Sequence, residues 1–282
     1  MAAAFLAGAL VSGAPAEAHP GVGIVRDARG NVFYTDLARV WKIAPDGKKS
    51  VAVPRVHTHE LVLDAAGNLY GEHLWYEGDA TKKWGHRVWR LAPDGVLTDV
   101  VPAREGFRTE TSFVRDAAGN MYWSEGEGAA RILERTREGA VRTLATCGDC
   151  RDVRWMCAAP DGTVFFVDGG DLRAVSPAGA LRTLARGLGK RSWTQFDVGD
   201  RHALMGLWTD ARGRVYVARY GTREVLRVDP GGAVSVVARS RFPWSPTGGL
   251  VTPDGDLFLL EYTMTGSARV RRVGPDGRST VF

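Results

Sequence analysis

The feature that most constrains this chain is one short phrase written six times. Its clearest copies are Asp27-Ala-Arg-Gly-Asn31, Asp64-Ala-Ala-Gly-Asn68 and Asp116-Ala-Ala-Gly-Asn120. Looser copies stand at Ala159-Pro-Asp-Gly-Thr163, Asp210-Ala-Arg-Gly-Arg214 and Thr252-Pro-Asp-Gly-Asp256. Each is followed by a short apolar or aromatic run such as Val32-Phe-Tyr34. A second glycine turn closes each unit, at Pro45-Asp-Gly47, Pro93-Asp-Gly95, Arg137-Glu-Gly139, Pro177-Ala-Gly179, Pro230-Gly-Gly232 and Pro275-Asp-Gly277. Glycine supplies the positive φ that tight hairpins need. Two hairpin turns per unit divide it into four short strands, and no segment keeps a helical period. Units that cannot bury both faces alone pack face to face around an axis. The expected fold is all-β: a six-bladed β-propeller with four antiparallel strands per blade.

In the second unit the strands are expected at 60–64, 68–73, 86–92 and 95–101. The last unit ends at Phe282 with a fourth strand of its own. The ring is therefore expected to close by packing of the first and last blades, without a borrowed strand; the alternative is a short strand just after residue 18 that pairs with the last blade.

The 282 residues are 44% hydrophobic and 24% charged, with a net charge of +5. Arginine is scattered through every repeat. That distribution reads as a solvated surface with no basic stripe for nucleic acid, and it leaves a mild preference for anionic ligands. No stretch of the repeat region is long and apolar enough to span a membrane. Residues 1–18 stand outside the repeat. They are small and apolar over 2–12 and end on Ala16-Glu-Ala18, an A-x-A site. This pattern reads as a signal peptide, although no Lys or Arg follows Met1. A single propeller domain over 19–282, secreted or periplasmic, is the expectation. In that compartment Cys147-Gly-Asp-Cys150 reads as a local disulfide, with Cys157 a buried thiol.

In a four-stranded blade the glycine turns fall on one face of the ring. The connections between blades, and those joining the second and third strands, fall on the other. The second face varies in length and composition, so function is expected there. The chain has six histidines, His19, His57, His59, His73, His86 and His202, and all but His19 map to that variable face. His57 and His59 enter the second blade. His73 ends its second strand. His86 begins its third, after an insertion over 74–85. His202 enters the fifth blade. In an extended segment residues i and i+2 point the same way, so His57 and His59 share a face. If Asp64 and Asn68 flank the first turn as a pair, His59 lies opposite His73 and Glu60 opposite Glu72. Three imidazoles near one point, with carboxylates beside them, suit Zn²⁺ or a similar divalent ion. The metal ligands are then His57, His59, His73 and Glu60. His202, His86 or Glu72 move protons. Set against this, a histidine in a polar loop is commonly a surface side chain.

The ends of the second strands form a column: Asp36, His73, Glu125, Asp168, Arg219 and Glu261. One reading is a ring of hydrogen bonds tying neighbouring blades. The other takes the two departures from acid as functional, with Arg219 and Tyr220 orienting a carboxylate or lactone oxygen. Trp75, Tyr76 and Trp84, with Lys82 and Lys83 between them, read as a lid or substrate wall. Trp155 reads as a plug of the central channel.

Gly206-Leu-Trp-Thr-Asp-Ala-Arg-Gly-Arg-Val-Tyr-Val-Ala218 and Pro246-Thr-Gly-Gly-Leu-Val-Thr-Pro-Asp-Gly-Asp-Leu-Phe258 resemble repeats of the NHL and gluconolactonase (regucalcin-like) six-bladed propellers. The resemblance covers about 20–282 and concerns architecture, which does not by itself fix an activity. It implies a central divalent ion, commonly Ca²⁺, held by Glu, Asn and Asp at the starts of the innermost strands. The matching positions here are Val22-Gly23, His59-Glu60, Thr111-Ser112, Arg154-Trp155, Met205-Gly206 and Thr247-Gly248. Of these the His59-Glu60 pair alone offers good ligands, and Met205 stands where the family has its Asp, so that Ca²⁺ site is not carried over. The histidine-rich set is more similar, by analogy, to the amidating lyases, propellers that hold Zn²⁺ through three histidines. The combined expectation is a divalent-metal-dependent hydrolase, lactonase- or esterase-like, acting on a small polar or anionic substrate at the channel mouth. The alternatives are a metal-dependent lyase and a non-catalytic propeller that binds a ligand or a protein partner.

Overall fold

The structure is a computed structural model that describes residues 20–78, 80–106, 112–126, 129–189 and 203–282. The expected signal peptide over 1–18, and the residues His19, Thr111 and His202, lie outside the described residues. Six antiparallel sheets follow one another along the chain, each built from consecutive strands. Blades 1 to 6 span 24–54, 61–105, 121–147, 153–185, 207–239 and 245–281. Five blades have four strands. In blade 3 three strands are described, and a single bridge, Arg115 to Met121, stands at the place of the innermost one among the described residues. One 3-10 turn, Tyr220–Thr222, is the helical element among the described residues.

The repeated phrase is a self-bonded turn. Asp27 takes the Asn31 N–H on Oδ1 at 2.8 Å and the Asn31 amide on Oδ2 at 2.7 Å, while Gly30 turns through φ +85°. Asp64 and Asp116 repeat both bonds with Asn68 and Asn120, and Asp210 repeats the backbone bond with Arg214. A buried or half-buried tyrosine hydroxyl adds a third bond in three blades: Tyr70 to Asp64, Tyr122 to Asp116 and Tyr216 to Asp210. An Asx turn of this kind fixes the hairpin from sequence-local atoms alone.

Alternation along the second strands then fills the seams between blades. Val32 and Tyr34 join Phe258, Leu260 and Tyr262 in the seam between blades 6 and 1. Phe33, on the opposite face, joins Leu61, Leu69 and Trp89 in the seam between blades 1 and 2. Apolar clusters also fill seams 3–4, 4–5 and 5–6.

Among the described residues each sheet is built from consecutive strands, the last blade from 245–281 and the first from 24–54. Side chains reach across between these two. Thr247 Oγ1 donates to the Gly21 carbonyl at 2.8 Å and Tyr262 donates to the Thr35 carbonyl at 2.7 Å. The two innermost strands approach so closely that a Cβ on Gly248 would lie 2.2 Å from the Val22 carbonyl oxygen. Backbone cannot yield there as a flexible side chain can. Gly248→Ala is therefore expected to destabilise the ring by about 2 kcal/mol or more through overpacking. A urea unfolding curve checks this, and an unchanged midpoint would sink the account of closure.

Candidate functional site

Blade 2 departs most from the repeat. Its strands are Leu61–Leu63, Leu69–Tyr76, Trp84–Leu91 and Leu97–Glu105. The register expected from Asp64 and Asn68 holds within the strand pair, where Leu61 faces Gly71 and Leu63 faces Leu69. The ladder ends at Leu61, so the expected pairs His59–His73 and Glu60–Glu72 are not part of it, and the His57 N–H meets His73 instead. The insertion expected over 74–85 is not a loop. It lengthens the hairpin, with Leu74 opposite His86, Trp75 opposite Gly85 and Tyr76 opposite Trp84. The physical reason is an aromatic lock. A Cβ on Gly85 would lie 2.0 Å from Trp75, so glycine lets the indole lie flat across the partner strand. On the other face Tyr76 stacks on Trp84 with centroids 4.5 Å apart.

That geometry corrects two expectations. Trp75 and Tyr76 point to opposite faces of the hairpin, so Trp75, Tyr76 and Trp84 do not form one substrate wall. His73 and His86 also lie on opposite faces, because His86 pairs with Leu74. His86 is buried and its Nδ1 is 2.7 Å from the Gly106 carbonyl, so it does not complete a site with His73.

The segment entering blade 2 is a strap held from both sides. The His59 carbonyl accepts from the N–H groups of Val22 and Gly23 in blade 1, at 2.9 and 2.8 Å. Leu74 N–H donates to the His57 carbonyl at 3.0 Å. The His57 N–H donates to His73 Nδ1 at 2.9 Å, and the His59 N–H donates to Glu72 Oε1 at 2.7 Å. Thr58, which the sequence reading missed, points the other way and is fully buried. Its hydroxyl donates to the Glu72 carbonyl, which also accepts from Trp89 Nε1 at 2.9 Å, and the Thr58 carbonyl accepts from Thr35 Oγ1 at 2.6 Å. The signal was present: in His57-Thr58-His59 alternation sends the short β-branched residue inward if the histidines face out.

The strap gathers His57, His59, His73 and Glu72. The His57 and His59 rings meet edge to face with centroids 4.7 Å apart. Glu72, 1% exposed, lies 3.6 Å from His59 Nδ1 through Oε1. Burial first, and then neighbouring His59 and His73, push the His57 pKa down to about 4, while Glu72 and a hydrogen bond to the Leu37 backbone pull the other way. Burial, with the charge of Arg87, also lowers His73. Both imidazoles are therefore neutral at pH 7.

A metal does not fit this set. Nδ1 of neutral His73 is an acceptor, so its proton sits on Nε2, which then has no lone pair for an ion. Metal-bound histidines do the reverse and donate through their second nitrogen. Among the described residues no group of three or more His, Cys, Asp and Glu side chains is arranged to hold a metal ion. Glu60 lies elsewhere, lining a central cavity of about 220 Å³ together with Arg115, Trp155, Cys157, Trp208 and Gly248. One carboxylate among these does not meet the six to eight oxygen ligands that Ca²⁺ takes. Trp155 occupies the channel as expected, on a bulge with φ +41°.

Arg219 and Tyr220 are also corrected. Arg219 is 8% exposed, ion-paired to Glu224 and bonded to the Leu188 carbonyl, and Tyr220 is buried in seam 5–6. Arg219 belongs to the structural reading of its column. Asp168 takes the N–H groups of Arg151 and Asp152, and Glu261 takes the Ser240 hydroxyl, each from the connection entering its own blade. His73 does the same with His57. The expected disulfide joins Cys147 and Cys150, while burial raises the thiol pKa of the free Cys157.

No family model matches the sequence, and no curated protein matches it. Solved structures do match. Regucalcin from Agrobacterium tumefaciens is 20% identical, over 86% of this chain and 81% of that one, with a TM-score of 0.55. A gluconolactonase from Xanthomonas campestris is 14% identical, over 84% and 81%, at 0.53. A catalytically inactive histidine-to-alanine variant of virginiamycin B lyase from Staphylococcus aureus, with quinupristin, is 12% identical, over 93% and 84%, at 0.53.

The depressed His57 pKa makes a pH prediction. An unfolded histidine titrates near 6.5, so below that pH protons favour the unfolded chain until His57 itself titrates near 4. Stability present above pH 6.5 is expected to fall between pH 6.5 and 4. His57→Gln should flatten that part of the decline, measured by denaturant unfolding at pH 7 and 4.5; parallel curves for both proteins would refute the assignment. What the fold and these likenesses establish together is a six-bladed β-propeller, the architecture that the regucalcin, gluconolactonase and virginiamycin B lyase structures also have.

Proposed function

We propose that the chain is an enzyme acting on a small polar or anionic substrate at the variable-face mouth, with His57, His59 and Glu72 as its acid–base group. The observation that carries this reading is the neutral, half-buried His57 ring lodged against His59, beside a carboxylate sealed from water. A general base needs its lone pair at working pH and a fixed orientation. Burial supplies the first. The Leu37 backbone and the clamped strap supply the second. Glu72 fixes His59 through its backbone N–H and faces its ring, the role of an orienting carboxylate.

The favoured reaction is hydrolysis of a lactone or ester. His57 takes a proton from water as its oxygen attacks the carbonyl carbon, and the imidazolium returns that proton to the departing alkoxide. The gluconolactonase neighbour supports this class. A second reading is elimination begun by proton abstraction next to a carbonyl, supported by the inactivity of the histidine-to-alanine lyase variant. The misfit of His73 and the channel residues to a metal leaves no step routed through an ion. We also infer export, because a local disulfide suits an oxidising compartment.

A panel of lactones, aryl esters and cyclic depsipeptides tests the proposal. On a responsive substrate, His57→Ala and His59→Ala are each expected to lower kcat/KM by about 10²–10⁴-fold while the protein stays folded. Unchanged turnover in both, or no turnover of any member by the wild-type protein, would favour a binding propeller. Product analysis in ¹⁸O-water separates the two reactions, since hydrolysis incorporates solvent oxygen and elimination does not. A second expectation concerns metal. Exhaustive chelation should leave Tm and turnover unchanged; a Zn²⁺-dependent rise in Tm that His59→Ala removes would restore the metal reading.

A further inference from the structure

Five apolar clusters fill five of the six seams, and among the described residues none fills the seam between blades 2 and 3. The faces that meet there are mixed: Val88 and Leu133 are buried among polar side chains. From blade 2 come Tyr70 and, across the sheet from it, Arg90, whose Nε is buried with no hydrogen-bond partner. From blade 3 comes Arg115. Its guanidinium lies 5.3 Å over the Tyr70 ring, and its Nε makes one long bond of 3.4 Å to the Ser112 carbonyl. Among the described residues no carboxylate stands within ion-pair distance of Arg115, Arg90 or Arg137. Burial lowers the Arg115 pKa, which Tyr70 and, at longer range, Asp64 oppose.

The seam opens on the glycine-turn face as a cleft of about 650 Å³, lined by Leu63, Asp64, Arg115, Asp116 and Arg137 among others. Its two carboxylates are already engaged. Asp64 accepts from the Ala66 and Asn68 N–H groups, the Asn68 amide and Tyr70. Asp116 accepts from the Asn120 N–H, the Asn120 amide and Tyr122. Arg115 also lines the central cavity, so it stands where channel and cleft meet.

A cation withdrawn from water without an ion-pair partner costs stability unless something compensates it. Cation–π contact with Tyr70 offsets part of that. We propose that the cleft between blades 2 and 3 is a binding site for a small multivalent organic carboxylate, held by Arg115 with Arg137 at its rim. The planar guanidinium matches a carboxylate in bidentate geometry, which a lysine does not. The site lies on the turn face, away from the histidines, and does not rest on the reaction proposed above.

Calorimetry and thermal melts with succinate, inorganic phosphate and chloride at matched ionic strength test this. Succinate is expected to bind and raise Tm. Arg115→Gln should weaken it at least tenfold, Arg115→Lys should recover little of that loss, and Arg278→Gln, a fully solvated control, should change nothing. Phosphate binding as tight as succinate would overturn the carboxylate assignment, and an effect of chloride alone would overturn the site. A further variant guards against a folding defect. Without anion, Arg115→Met is expected to melt at or above the wild-type temperature, since it removes an uncompensated charge. A lower melting temperature, together with an unaltered succinate response in Arg137→Gln, would assign these arginines a purely structural role and refute the proposal.

Discussion

Much of this propeller depends on one recurrent contact: a polar side chain at the end of a blade's second strand grips the chain arriving from the previous blade. Asp168 holds the Asp152 N–H, Glu261 holds the Ser240 hydroxyl and Arg219 holds the Leu188 carbonyl. These connections cross between blades where no sheet ladder can satisfy them, and buried backbone groups left unpaired are costly. The charged members are neutralised locally, Glu261 by Arg269 and Arg271 and Arg219 by Glu224. Such a contact positions blades 2, 4, 5 and 6 against the connections that enter them, whereas Asp36 and Glu125 bond within their own blades.

In blade 2 the same contact becomes the candidate site. His73 replaces the acid, and the N–H it accepts belongs to another histidine. The exchange removes charge from the position. An acid there would hold a proton donor beside it in its charged form, whereas a neutral imidazole leaves His57 subject mainly to burial, and burial lowers its pKa. The structural bond thus also determines which nitrogen of His73 carries the proton, and so removes it as a metal ligand. A single architectural position accounts for the clamped strap, the neutral base and the poor fit to an ion.

Blade 2 also bears the exceptional seam. Its other face presents Tyr70 and Arg90 to blade 3; the corresponding pair in blade 5 is Tyr216 and Arg227, and there Tyr216 joins an apolar cluster. The two blades that meet there depart from the repeat, one by a lengthened hairpin and one by an innermost position that is a single bridge among the described residues.

Much of this was legible in the sequence. The Asp-x-x-Gly phrase dictates its turns through atoms at most six residues apart, so the six hairpins, the blade count and the Asp64–Asn68 register follow from local chemistry. Alternation assigns His57 and His59 to one face for the same reason. What depends on residues far apart was decided by tertiary structure. Trp75 turned an expected loop into a hairpin because Gly85 lies beneath it, and that sent His86 to the wrong face. Arg219 reads as a ligand grip until Glu224 and Leu188 are seen to occupy it. The protonation of His57 and His73 depends on burial by neighbouring blades, and the isolation of Arg115 on which carboxylates the turns have already engaged. The sequence by itself determined the ring and where its regularity breaks; only packing decided which polar groups there are already satisfied and which remain for chemistry, because desolvation and hydrogen-bond partners are set by whatever the fold brings alongside.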